Sequence, residues 1–146
     1  MEFYTKNFDQ LTRNELYALL QLRSEVFVVE QDCVYQDVDG KDSKALHLLG
    51  FQDGQLLAYA RLFRPGDYFA EASIGRVVVK QSARQFGYGH QLMKAAVEVV
   101  EKEFNTPTIQ ISAQRYLEKF YTAHGFITFG EPYLEDGIPH IAMLRK

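Results

Sequence analysis

The sequence predicts one α+β domain built on a mixed sheet, spanning residues 1–146, and three observations point there. β-branched and aromatic runs of strand length alternate with stretches whose apolar residues recur at helical spacing. The connections are short and marked by Gly, Pro and Asp, with no linkers, repeats or low-complexity tracts. At 146 residues the chain fits one domain, long enough to bury roughly two thirds of the surface its unfolded form exposes.

Taken in order, Glu2–Phe8 has the make-up of an edge strand. Thr12 or Asn14 can cap a helix that runs to about Val26, with Leu16, Leu19, Leu20 and Leu22 on its apolar side. Residues Glu30 to Lys44 read as an Asp-rich loop turned at Gly40. Leu46–Gln52 and Gln55–Arg64 flank Asp53-Gly54, a dipeptide suited to a tight hairpin turn. Pro65-Gly66-Asp67 interrupts the chain before a strand at Ala72–Lys80. Tyr88–Phe104 is a helix, because Leu92, Ala96 and Val99 recur on one face. A strand at Thr108–Ala113, a short helix at Tyr116–Ala123 and a stop at Gly125 follow. Phe126–Phe129 and Ile141–Arg145 close the chain as paired strands, and the last of them could also pair across a homodimer.

Composition narrows the function classes. A net charge of −3 gives no footing for nucleic acid. No apolar run approaches the ~18 residues a membrane span needs, and Met1–Gln10 carries no signal-peptide pattern. The lone Cys33 cannot form an internal disulfide and suits a reducing compartment, so a cytoplasmic location is expected. His47, His90, His124 and His140 show no metal-ligand spacing. A calcium loop over Asp37, Asp39 and Asp42 fails because Gly40 directly follows Asp39 and the downstream glutamate is missing. The charge is uneven: Glu25 to Asp53 holds seven acids against Lys41 and Lys44, and Asp37, Asp39 and Asp42 are expected to draw a cationic amine.

The most informative stretch is Arg84-Gln85-Phe86-Gly87-Tyr88-Gly89, placed where a β-branched strand hands over to an amphipathic helix. A helix start offers unpaired N–H groups and a positive dipole end. Glycines let the backbone approach a phosphate closely, and an arginine adds a charged fork. The arrangement suits a pyrophosphate. A dinucleotide fingerprint needs a third glycine where Leu92 stands, and no Gly-Lys-Ser/Thr exists for a P-loop.

Arg76-Val77-Val78-Val79-Lys80 with this turn resembles the acetyl-CoA motif of the GCN5-related N-acetyltransferases (GNAT). Thr108–Gln114 and Phe120-Tyr121-Thr122-Ala123-His124-Gly125-Phe126 look like that family's following strand and its F-Y-x-x-x-G-F element. The likeness covers the whole chain, and "RSEVFVVEQDCVYQDVDGKD" with "GEPYLEDGIPHIAML" is similar to its ElaA-type subgroup. Gln114 and Leu117 depart from the Asn and Ala of many members.

The resemblance implies a mixed, mostly antiparallel central sheet flanked by helices, and acetyl-CoA as co-substrate. It assigns the cofactor to Val77, Val78 and Val79 through pantetheine, and to Arg84, Gln85, Phe86, Gly87, Tyr88, Gly89 and His90 through pyrophosphate. Gln114 and Tyr121 complete that set. The implied reaction is direct acetyl transfer to a small-molecule or peptide amine. Tyr121 would act as general acid, and the Val78 or Val79 amide would polarise the thioester carbonyl. Candidate bases are Glu30, His140, Glu131 and Glu135.

Two other readings stay open. Arg23, Phe27, Asp39, Asp42 and Arg61 fall in an order similar to the acyl-homoserine lactone synthases, although the intact turn favours CoA. A non-catalytic acyl-CoA-binding module would need Gly87 and Gly89 but not Tyr121.

Overall fold

The structure is a computed structural model that describes residues 1–146. Seven strands form one sheet: β1 (Glu2–Asn7), β2 (Leu46–Gln52), β3 (Gln55–Phe63), β4 (Ala72–Val79), β5 (Ile109–Gln114), β6 (Ile127–Glu135) and β7 (Ile138–Arg145). Their spatial order is β1-β2-β3-β4-β5-β7-β6, and every pairing is antiparallel except β4 with β5. Three α-helices flank the sheet: α1 (Arg13–Arg23), α2 (Tyr88–Glu103) and α3 (Glu118–Thr122).

Local chemistry explains the boundaries. Thr12, not Asn14, caps α1: its hydroxyl accepts from the Glu15 amide at 3.1 Å, and the Glu15 carboxylate accepts from the Thr12 amide at 2.8 Å. The helical path does not stop near Val26. It widens into a π-helical stretch, Ser24–Glu30, sealed by Gln31 N–H to Val26 O and Cys33 N–H to Val28 O, each 3.1 Å. Asp53-Gly54 turns the β2–β3 hairpin with both residues at positive φ.

The last two strands are longer than the sequence suggested, because Asp136-Gly137 forms a second turn of the same kind, with φ of 52° and 78°. β7 lies between β5 and β6 with both edges paired. It therefore has no edge free for the pairing across a homodimer that the sequence left open, and the open edges are β1 and β6.

Two apolar clusters lie on either side of the sheet. The larger packs α2 residues Leu92, Met93, Ala96 and Val100 against the inner strands, and the smaller packs Leu19, Leu22 and Val26 against Leu49, Tyr59 and Val78.

Two irregularities in β4 break the continuity of the sheet at its centre. β4 and β5 pair only at Ala72–Ile109 and Ser73–Gln110, then diverge. On its other edge β4 slips register against β3 between Tyr59 and Arg61, and Arg76 at this bulge holds φ at +48°.

Candidate acyl-transfer site

The divergence of β4 from β5 opens a cleft of about 390 Å³. Val77, Val78 and Val79 line it from β4, with Arg84 and Gly89 at the turn into α2. Gln114, Tyr121, Glu30 and His140 line it from the other elements. Gln85 and Phe86 sit in the 3-10 turn before α2, and Gly87, Tyr88 and His90 surround the helix start outside the cleft wall.

Backbone parity decides which valine amide is free. The Lys80 amide donates to Leu57 O of the β3 side at 2.8 Å. Residues two apart on a strand face the same neighbour, so the Val78 amide is also turned to β3, where Val78 sits opposite Tyr59. The Val79 amide faces the gap. Of the two amides the sequence allowed, only that of Val79 is available to a ligand.

At the helix start, Gly87 is the N-cap at φ 73° and supplies no side chain to the amides above it. Those of Tyr88, Gly89 and His90 have no partner inside α2. A Cβ at Gly89 would meet the Phe120 ring at 3.4 Å, an ordinary packing contact, so the bare glycine leaves that much more room beside the helix start. Unpartnered amides, glycines at positions 87 and 89 and an amide facing the gap together fit a diphosphate with an extended arm. Arg84, expected on phosphate, instead donates through Nε to Val79 O at 3.1 Å and pairs two-pronged with Glu30, one contact being 2.8 Å.

Tyr121 is buried, and its hydroxyl has no hydrogen bond within the protein. Burial, with Tyr116 adding, pushes its pKa well above the ordinary phenol value, so it stands as a proton donor at neutral pH. Both oxygens of Glu30 are held by Arg84. Glu131 is exposed on β6 and away from the cleft. His140 is buried and lines it; Nδ1–H donates to Ile138 O at 2.7 Å, and Nε2 stands 3.4 Å from Glu135. Cys33 also lines the cleft, its thiol donating to Asp136 O at 3.3 Å.

The acids at 37, 39 and 42 do not form a surface for cations. Arg23 donates to Asp37 at 2.8 Å and Asp42 at 2.7 Å; Arg61 grips Asp39 through two bonds of 2.9 Å and reaches Asp42 at 3.0 Å. Arg76 Nε lies 2.7 Å from Asp37, angled away from a linear hydrogen bond, and Nη2 reaches Asp37 O at 3.0 Å. Three arginines cancel three aspartates. Burial opposes ionisation of Asp42, but the hydrogen bonds and charge of Arg23 and then Arg61 outweigh it and hold its pKa below the usual carboxylate range. The knot fastens the segment after the π-helical stretch to the β4 bulge.

Sequence reasoning missed Ser112 on the cleft's far side, Tyr133 in contact with it, and the role of Arg76. Ser112 was legible: buried Ile109, Ile111 and Ala113 alternate with Gln110, Ser112 and Gln114 on the other face of β5.

Residues 9–146 match the family described as Acetyltransferase (GNAT) domain. The chain is 42% identical over 148 residues to Protein ElaA of Escherichia coli (strain K12), covering 100% of this chain and 97% of that one. A UPF0039 protein of Schizosaccharomyces pombe is 44% identical over 145 residues, covering 98% and 95%. Among solved structures, an acyl-CoA N-acyltransferase from Pseudomonas aeruginosa superposes with a TM-score of 0.93 at 48% identity, covering both chains fully.

Proposed function

The chain belongs to the GNAT acetyltransferase family and is an acyltransferase that draws on acyl-CoA; from that premise we propose that it moves an acetyl group from acetyl-CoA directly to an amine. Acetyl-CoA supplies the acyl group already activated as a thioester. The amides of Tyr88, Gly89 and His90 hold the pyrophosphate, and Arg84 reaches the phosphates when it leaves Glu30. Val77 and Val79 line the pantetheine arm, with the Val79 amide directed at the carbonyl oxygen, where negative charge grows in the transition state. Gln114 contributes side-chain polarity beside the arm. Tyr121 protonates the departing sulfur, and the proton lost from the new amide nitrogen restores its phenol. His140 is the base, because it lines the cleft with Nδ1–H spent on Ile138 O and Nε2 left to accept a proton.

The observation that carries the reading is the gap-facing Val79 amide set in one cleft with the unbonded Tyr121 hydroxyl. The test is thiol release from acetyl-CoA across a panel of amines, together with acetyl-CoA calorimetry. Tyr121→Phe should lower kcat by about a hundredfold or more while leaving acetyl-CoA binding intact. Gly89→Asp should abolish binding, since it puts a carboxylate where phosphate is to sit. Tight binding with no turnover on any amine would favour a non-catalytic module, and unchanged affinity in Gly89→Asp would refute the phosphate site.

A further inference from the structure

The charged groups of the cleft divide unequally. Arg61, Arg76 and Arg84 line it, yet each is already matched by carboxylates, and no lysine lines it. Glu135 and Asp136 line it too, and neither has a lysine or arginine partner.

Hydrogen positions around Glu135 can be followed one by one. Tyr133 O–H and Ser112 Oγ are in contact, and Ser112 Oγ donates to Glu135 Oε1 at 3.1 Å. Ser112 has one hydrogen, so with it on Glu135 the Tyr133 hydroxyl is the donor to Ser112. Oε2 faces His140 Nε2 at 3.4 Å. The Nδ1–H of His140 is spent on Ile138 O, so the neutral ring offers only a lone pair from Nε2. With the ring neutral, these are two acceptors 3.4 Å apart at the edge of the cleft, with no protein donor to share. His140 is 5% exposed and its ring stacks on Tyr133, which fixes its aim.

We propose that Glu135 Oε2 and His140 Nε2 are the dock for the reacting ammonium of the acceptor, and that this acceptor is a primary alkylamine with no carboxylate beside the amine. An ammonium has three donors and no acceptor, which is the complement of this pair. A neighbouring carboxylate would meet Glu135 and Asp136 with no unmatched arginine to receive it. This deepens the reading that the acceptor is an amine and rests on it. In the dock one N–H bond breaks, its proton passes to Nε2, and the electron pair stays on nitrogen as the nucleophile. Glu135 then faces an imidazolium, and the proton leaves to water. Ser112 and Tyr133 are positioning residues that act through Glu135.

The test pairs two probes that differ by one carboxylate, n-pentylamine and norleucine. Each is titrated into the intact protein without acetyl-CoA while the His140 imidazole resonances are followed by NMR. Pentylammonium should shift them saturably and bind at least tenfold more tightly than norleucine. Loss of a charge-assisted contact in Glu135→Gln should weaken it by about ten- to a hundredfold, with Glu135→Asp regaining part of the loss. In turnover, Glu135→Gln should raise the pentylamine KM far more than it lowers kcat, with acetyl-CoA affinity unchanged. Ser112→Ala, which keeps the carboxylate, is the second variant should Glu135→Gln fail to fold, and is expected to weaken pentylammonium several-fold. Equal binding of norleucine, or unaltered pentylammonium binding in both Glu135→Gln and Ser112→Ala, overturns the dock. Pentylammonium captured by a protein that binds no acetyl-CoA would support the dock while removing the proposed reaction.

Discussion

Replacing Asp42 with Asn tests whether the arginine–aspartate knot is a stabilising element. Asp42 Oδ1 receives Arg23 Nη1 at 2.7 Å and Arg61 Nη1 at 3.0 Å. Arg23 is fully buried and Arg61 nearly so. The formal charges of the three arginines and three aspartates sum to zero, so Asp42→Asn leaves one positive charge uncompensated where water does not reach. Breaking a buried pair in this way costs about 3–5 kcal/mol, against a total stability of about 5–15 kcal/mol for a domain. At about 2–4 °C per kcal/mol for a chain of this size, the midpoint should fall by about 6–20 °C. Urea and thermal unfolding followed by circular dichroism at pH 7 measure both. The pH dependence supplies a second handle. Asp42 and Asp39 are held below the ordinary carboxylate range in the fold; for Asp39 burial opposes this, but Arg61, the Lys41 amide and then Arg76 outweigh it. Their stabilisation is therefore present above about pH 4 and lost as the pH falls through the lowered folded values. Asp42→Asn should flatten that acid limb. A loss under about 1 kcal/mol, with the acid limb unchanged, would mean the knot behaves like solvated surface pairs and would refute the reasoning.

Two further outcomes are expected from the same geometry. Arg76 sits at φ +48° on the β4 bulge and also ties Asp37 and Asp39; Arg76→Gly should be about 1 kcal/mol more stable than Arg76→Ala, because both lose the ion contacts but only alanine keeps the backbone strain. Chemical denaturation of the two variants side by side reads that difference, and equal stability would mean the bulge relaxes. Glu30→Ala frees Arg84 from its partner; since a partly exposed pair is worth at most about 1 kcal/mol, acetyl-CoA should bind up to about fivefold more tightly by calorimetry. Weaker binding instead would show that Glu30 holds Arg84 in its working position.

Local pattern makes much of this molecule legible. Asp53-Gly54 specifies its own turn, the apolar face of α2 follows from Leu92, Ala96 and Val99, and Gly87 and Gly89 mark where that helix starts. The π-helical stretch at Ser24–Glu30 is not, since its apolar residues fit a normal helix end and only the i−5 bonding of Gln31 and Cys33 sets it apart. β6 reads too short in sequence because Gly130 and Pro132 interrupt it and its exposed residues do not alternate, although Asp136-Gly137 marks its end. The knot escapes a sequence reading for a different reason. Arg23, Arg61 and Arg76 come from three separate elements, and nothing local distinguishes an aspartate that meets one of them from an aspartate in water. At the site, valine parity and the occupied oxygens of Glu30 require coordinates, whereas the helix start does not, and Tyr121 stands out only through the family resemblance.

The brief meeting of β4 and β5 reaches beyond the cleft it creates. Only two rungs, at Ala72–Ile109 and Ser73–Gln110, stitch the first four strands to the last three. The sheet is thus a pair of panels sharing a short hinge, and their spread edges are bridged on one side by whatever lies between them. A pantetheine arm hydrogen-bonded along β4, as proposed, would serve as a temporary eighth strand, and the donor molecule would then also be a splice in the scaffold that holds it.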